Sequence, residues 1–203
     1  MPREIIRAEV LGEALELRTA PGLFSPGRVD RGTLAMLSAA AFEPGMKVLD
    51  LGCGCGVVGI VAAKKCGEQG VWMVDIDPLA VQIARENAET NGVPGVHCVV
   101  SDGFGQLDAA GFDLILSNPP YQSDFAVAKS FIEKGFNRLK IGGRMMMVTK
   151  RRTWYKNKLA AIFGGVKIRE IDGYFVFEAR RDSPDYANAR HGRRHNFVKV
   201  PES

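Results

Sequence analysis

The sequence predicts an α/β fold, a mainly parallel seven-stranded sheet with helices on both faces and a C-terminal antiparallel hairpin. Three observations predict it. Short β-rich runs alternate with helix-patterned segments between residues 46 and 179, the pattern of strands joined by crossover helices. The first strand runs into a Gly-rich turn, as such sheets often do at a ligand crevice. The last two strands are separated by Asp172-Gly173 alone, a dipeptide that closes antiparallel hairpins.

The elements follow in order. Residues 4–17, β-branched and leucine-rich around Gly12, read as a hairpin, and a Gly/Pro-marked loop occupies 21–27. From Asp30 the pattern turns helical, with Leu34, Leu37 and Ala41 on one face and Asp30 or Thr33 near the start. The core strands are expected at 46–51, 71–76, 96–100, 112–117, 143–149, 166–171 and 174–179. Helices are expected at 57–65, 78–91, 125–139 and 154–163. The chain divides into a hairpin and lead-in loop (1–29), a main domain (30–181) and a polar, basic tail (182–203).

Composition narrows the classes. With 203 residues, 46% hydrophobic and 25% charged, the chain suits one compact domain rather than two or a disordered segment. No apolar run approaches the roughly 18 residues needed to cross a membrane. Met1-Pro2-Arg3-Glu4 does not begin a signal peptide, so a cytoplasmic location is expected. Cysteines at 53, 55, 66 and 98 lack the spacing of a zinc site or a disulfide framework, and no metal is expected. The net charge of +4 is uneven. Residues 150–199 carry Arg151, Arg152, Lys156, Lys158, Lys167, Arg180, Arg181, Arg190, Arg193 and Arg194 against few acids. That bias suits a polyanion such as RNA, and it also suits an ordinary solvated surface.

The turn reads Asp50-Leu51-Gly52-Cys53-Gly54-Cys55-Gly56-Val57-Val58-Gly59. Gly52, Gly54 and Gly56 allow a tight turn and close approach of a ligand. From Gly54 the run also fits the dinucleotide fingerprint, with Asp75 about 20 residues on. Asp50 argues against a dinucleotide, because a carboxylate there would face a pyrophosphate. It favours a phosphate-free, cationic cofactor, one with the sulfonium and ammonium of S-adenosylmethionine. Asp75 can accept from both ribose hydroxyls; Asp77 is an alternative but suits a helix cap better. Asp102, with Gly103 beside it, can receive an adenine amino group. Carboxylates at three successive strand ends line the crevice where open α/β sheets bind ligands.

The sharpest motif is Asn118-Pro119-Pro120-Tyr121 directly after a buried strand. Two prolines fix the backbone. The Asn118 side-chain oxygen and the Pro119 carbonyl then form two acceptors matched to a planar –NH2, with Tyr121 as a stacking face. Holding both hydrogens raises electron density on nitrogen and aims it at an electrophilic methyl.

These residues identify a resemblance. The chain resembles class I, Rossmann-like S-adenosylmethionine methyltransferases with the Asn-Pro-Pro-Tyr motif, and more narrowly the RsmC-type "methyltransferase small" family in single-domain form. The narrowing rests on Gly22-Leu23-Phe24-Ser25 followed by Val29-Asp30-Arg31-Gly32-Thr33. By that resemblance Phe24, Asp30 and Thr33 close the cofactor and substrate pocket, and Asn118 contributes to cofactor binding as well as catalysis. The implied reaction is methylation of guanine N2 in ribosomal RNA. Longer family members carry two related halves, and this chain has room for one. The motif also occurs in HemK-type protein glutamine methyltransferases and in adenine-N6 and small-molecule N-methyltransferases, all of which act on a planar nitrogen.

Overall fold

The computed structural model describes residues 4–20, 28–119 and 125–187. Two strands, β1 (Glu4–Val10) and β2 (Glu13–Thr19), form the expected N-terminal hairpin. Leu11 and Gly12, at φ +53° and +77°, make its two-residue turn, the left-handed pair that a tight hairpin needs.

The main sheet contains β3 (Val48–Leu51), β4 (Val71–Asp75), β5 (His97–Val100), β6 (Phe112–Ser117), β7 (Leu139–Thr149), β8 (Lys167–Ile171) and β9 (Tyr174–Arg180). Their spatial order is β5-β4-β3-β6-β7-β9-β8. The first five pair in parallel, and β9 is antiparallel to both β7 and β8. The Asp172-Gly173 turn is present, with φ of +51° and +77°. It does more than append a hairpin, since it inserts β9 between β7 and β8.

Among the described residues five α-helices cover the sheet: α1 (Arg31–Ala39), α2 (Val57–Cys66), α3 (Pro78–Thr90), α4 (Phe125–Arg138) and α5 (Arg152–Phe163). Alternation along each strand sends successive side chains to opposite faces. Met146 and Val148 thus join α1, α2 and α3 in one core, while Met145 and Met147 join α4 and α5 in the other.

Two sequence expectations are corrected. On α1 the buried face is Thr33, Met36 and Leu37, with Ala35 beside it; Leu34 is exposed and Ala41 lies beyond the helix. The helix packs on β7 and β9, and that contact rotates Leu34 outward. Strand β7 begins at Leu139 rather than residue 143, because Leu139 pairs with Phe112 before a register shift. The Gly142-Gly143 pair sits inside the strand. A Cβ on Gly143 would stand 2.6 Å from the Phe112 carbonyl oxygen, so close backbone passage, not a turn, requires glycine there.

The hairpin is tied to the domain by two asparagines one turn apart, Asn87 on α3 and Asn91 at its C-cap. Asn87 accepts from the Arg18 N–H at 2.7 Å and donates to the Arg18 and Cys55 carbonyls, each at 2.9 Å. Asn91 accepts from the Glu16 N–H at 3.0 Å and donates to the Glu16 carbonyl at 2.8 Å. The amides thereby complete the outer edge of β2 as a neighbouring strand would. At the C-terminal end of the described residues Tyr186 docks on α4: its ring meets Phe136 edge-on and its hydroxyl donates to the Glu133 carbonyl.

Candidate active site

The carboxyl ends of β3, β4, β5 and β6 enclose a pocket of about 330 Å³. Its lining includes Gly52, Gly54, Asp75, Asp102, Gly103, Asn118 and Pro119. A second recess, about 60 Å³, is lined by Asp30, Thr33, Asp50, Gly52, Gly54 and Asn118. Gly52, Gly54 and Asn118 belong to both, so the two form one cleft divided by the Gly-rich turn and the end of β6.

The turn is held from β4. The Gly52 and Cys53 amides both donate to the Val74 carbonyl, and the Gly54 amide donates to Asp75 Oδ2, each at 2.9 Å. Gly52 and Gly54 have positive φ, and a Cβ on either would meet nothing within 4 Å. That open space over bare backbone is what a ligand lying on the turn requires. Gly56, expected with them, lies off both pockets. Its Cβ would press on Ala84 and Met73 at 3.1 Å, so it serves the packing of α2 at its N-terminus. Gly59 acts similarly, with a Cβ position 2.3 Å from Met73 Cγ.

The three carboxylates occupy distinct situations. Asp75 accepts from the Gly54 and Asp77 amides through different oxygens, and each oxygen keeps a further lone pair. Asp102 is exposed at the mouth, in a turn held by Ser101 Oγ and Gln106. Asp50 is buried and accepts from the Gly59 amide at 2.9 Å. Burial pushes its carboxyl up to about 7; the Gly59 N–H opposes this and the nearby Asp75 charge adds to it. Asp77 caps α3 by accepting from the Leu79 amide at 2.9 Å. The Cys53 and Cys55 thiols are pushed up by burial and by the Asp50 charge, Cys55 to about 11, which keeps them neutral.

At the end of β6, Ser117 donates to the Leu51 carbonyl at 2.8 Å and locks the two strand ends together. Asn118 follows. Its amide nitrogen donates to Asp30 Oδ1 at 2.7 Å and to Thr33 Oγ1 at 3.0 Å. Asp30 also caps α1, accepting from the Thr33 amide at 2.9 Å. A carboxylate accepts only, so it fixes which end of the Asn118 amide is nitrogen. The amide oxygen is then turned the other way, buried, and without a hydrogen-bond partner among the described residues. A desolvated acceptor of this kind costs about 1–3 kcal/mol unless a donor arrives.

Asp30 and Thr33 therefore reach the site through Asn118, a link no local pattern shows because the three are joined across 88 and 85 residues of sequence. Also missed were apolar walls supplied by Ile76, Ala80, Val127 and Phe131. Ile76 is 65% exposed, and an isoleucine between two acids directly after a strand end, Asp75-Ile76-Asp77, was the available signal. Three expected site residues, Phe24, Pro120 and Tyr121, lie outside the described residues, as do Arg190, Arg193 and Arg194 of the tail.

Comparison with known proteins agrees with this architecture. A model of the methyltransferase small domain matches residues 14–178. Ribosomal RNA small subunit methyltransferase C of Hahella chejuensis is 36% identical over 174 residues, which cover 83% of this chain and 50% of that protein. YbxB of Bacillus subtilis is 31% identical over 167 residues, covering 79% of this chain and 83% of YbxB. Among solved structures, the T. thermophilus 16S rRNA N2 G1207 methyltransferase RsmC, in complex with AdoMet and guanosine, superposes with a TM-score of 0.82 at 28% identity. The match covers 89% of this chain and 51% of that one. The chain thus spans about half the length of the methyltransferase C relatives it matches. On fold, motif and sequence together, the chain belongs to the methyltransferase small domain family.

Proposed function

We propose that this protein transfers a methyl group from S-adenosylmethionine to a planar exocyclic nitrogen, guanine N2 of ribosomal RNA. The observation that carries this reading is the buried, unpartnered oxygen of Asn118, held in orientation by Asp30 and Thr33 at the junction of the two pockets. The substrate follows the ribosomal RNA methyltransferases that this chain resembles.

The residues present fit the cofactor. The larger pocket falls within the roughly 300–1,000 Å³ of small-molecule sites, and the turn at Gly52 and Gly54 leaves bare backbone for a close ligand. When bound, S-adenosylmethionine supplies an electrophilic methyl on a cationic sulfur. Asp75 offers its spare lone pairs to the ribose hydroxyls. Ile76 and Phe131 would give the adenine an apolar wall, and Asp102 would accept from its amino group. Asp50 would provide negative charge at the smaller recess for the cofactor's ammonium group.

Asn118 Oδ1 and the Pro119 carbonyl would each accept a hydrogen from the substrate –NH2. This orients the nitrogen and enriches it in electron density before transfer. Neither needs to be a strong base, since the proton can leave after the methyl arrives. A guanine must be unstacked to reach such a site, so the base is flipped out or presented single-stranded. Ribosomal RNA as substrate implies a cytoplasmic enzyme; among the described residues no helix is long and apolar enough to cross a membrane.

The test is transfer of labelled methyl to ribosomal RNA lacking the modification, offered free and as assembled subunit and read by nucleoside mass spectrometry. N2-methylguanosine is the expected product. Label on a protein glutamine or on adenine N6, with RNA guanine untouched, would overturn the substrate assignment.

A further inference from the structure

Beside the candidate active site lies a cluster of cations with no acidic partner among the described residues. Ser117 of β6 is in register with Met147 of β7. Asn118 and Lys150 therefore leave neighbouring parallel strands at the same edge of the sheet. Lys150, Arg151 and Arg152 follow one another there, all exposed. Among the described residues none of the three is within ion-pair distance of a carboxylate. Some cations elsewhere do have acidic partners, as in Lys65–Glu13, Arg144–Glu178 and Lys158–Glu133; what distinguishes this cluster is that three cations stand consecutively at the carboxyl edge of the sheet.

What holds these cations is aromatic. Arg151 lies over Phe125 at 5.0 Å, Lys150 over Tyr174 at 4.9 Å and Arg152 over Phe175 at 5.8 Å. Phe125 in turn stacks on Trp154, with centroids 4.4 Å apart and planes 20° from parallel. Arg151 and Trp154 thus both pack on the Phe125 ring. An arginine laid on a ring keeps its hydrogen-bonding fork free while losing side-chain freedom. The position is also electrostatically unfavourable in isolation. The three cations sit at the start of α5, whose first turn carries no acid, and a helix N-terminus repels positive charge. An arrangement that costs free energy in the apo protein is offset when a polyanion neutralises it.

We propose that Lys150, Arg151 and Arg152, with the Phe125–Trp154 stack, form the docking surface for single-stranded RNA flanking the target nucleotide. The cations take the phosphates and Trp154 meets an unstacked base. The proposal rests on the reading of RNA as substrate. It adds where that RNA lies: across the β7–α5 edge rather than over α2 or the hairpin.

The experiment compares binding of a fluorescein-labelled single-stranded small-subunit rRNA fragment, by anisotropy over a salt series, with S-adenosylmethionine binding by calorimetry. The variant K150Q/R151Q/R152Q is set against K64Q/K134Q/K167Q, which removes equal charge elsewhere. The first should weaken RNA binding tenfold or more at about 0.1 M salt. It should also lower the slope of log K against log salt by about 2, from three phosphate contacts at roughly 0.7 each. Cofactor affinity should be unchanged, which also reports an intact fold. Equal weakening by both variants would overturn the proposal in favour of unspecific attraction. In a Trp72→Phe background Trp154 is the remaining tryptophan, and its emission should change on RNA saturation; no change would overturn its assigned place. Wild-type protein that binds S-adenosylmethionine but no RNA would sink the substrate reading itself, whereas normal RNA methylation by the triple variant would sink the docking surface alone.

Discussion

Asn118 and Asp50 show how single residues are set by groups far away in sequence. Asn118 is oriented by Asp30 and Thr33, so its oxygen is an acceptor prepared before any ligand arrives. Asn118→Ala should lower kcat by about 10²- to 10³-fold, the usual loss for one pre-aimed polar contact, with the S-adenosylmethionine Kd within about twofold. Single-turnover kinetics beside calorimetry separate the two, and parallel loss of both would contradict the assigned role. Asp50 predicts a pH dependence. Its folded-state pKa of about 7 lies above the usual aspartate value, so the fold favours the protonated form. The stability this contributes is fully present below about pH 4 and is lost as pH rises through about 7. A cationic ligand prefers the ionised form, which gives affinity the opposite trend. Cofactor binding should tighten by about tenfold from pH 6 to 8, with proton release near neutrality. Calorimetry in two buffers of different ionisation enthalpy reads this, and Asp50→Asn should flatten it.

At the scale of elements, the hairpin and the Gly-rich turn share one support, Asn87, which bonds the backbone of both. Asn87→Ala would strand the Arg18 amide and two carbonyls in a part-buried seam. The expected cost is about 2–4 kcal/mol, from roughly 1–3 per unsatisfied group with some access to water. Urea denaturation measures it as a lower midpoint at unchanged m-value. Because one of those carbonyls belongs to Cys55 of the turn, the KM for S-adenosylmethionine should rise more than kcat falls. A purely structural hairpin contact would leave KM at its wild-type value in the folded fraction. Beside the same seam the hairpin packs on the main sheet's helices: Ile6 and Leu17 join the core shared with α1 and α2 and line the smaller recess.

At the scale of the whole molecule, the cleft joins β3, β4, β5 and β6 with α1 and the hairpin, so a ligand filling it ties the N-terminal elements to the sheet. S-adenosylmethionine at a hundredfold excess over its Kd should stabilise by about 2.7 kcal/mol. For a domain of this size that is a rise in Tm of about 5–10 °C. Differential scanning fluorimetry checks it, and NAD should give no shift because Asp50 repels a pyrophosphate. Charge is also organised at this scale. Carboxylates gather at the cleft, and cations laid on aromatic rings gather at the neighbouring edge beyond β7.

By itself the sequence determined the sheet's seven strands, their helical crossovers, the Asp172-Gly173 hairpin and the strand-end positions of Asp50, Asp75 and Asn118. Each of these depends on local periodicity, on backbone limits at glycine and proline, or on charge beside a turn, and short-range physics is legible in a row of residues. Tertiary structure decided the rest. It placed β9 between β7 and β8, turned Leu34 outward, assigned Gly56 to packing, and joined Asp30 and Thr33 to Asn118. Those outcomes depend on which distant surfaces meet. A helix's buried face, a glycine's neighbour and an amide's orientation are set by contacts between segments that no window along the chain contains.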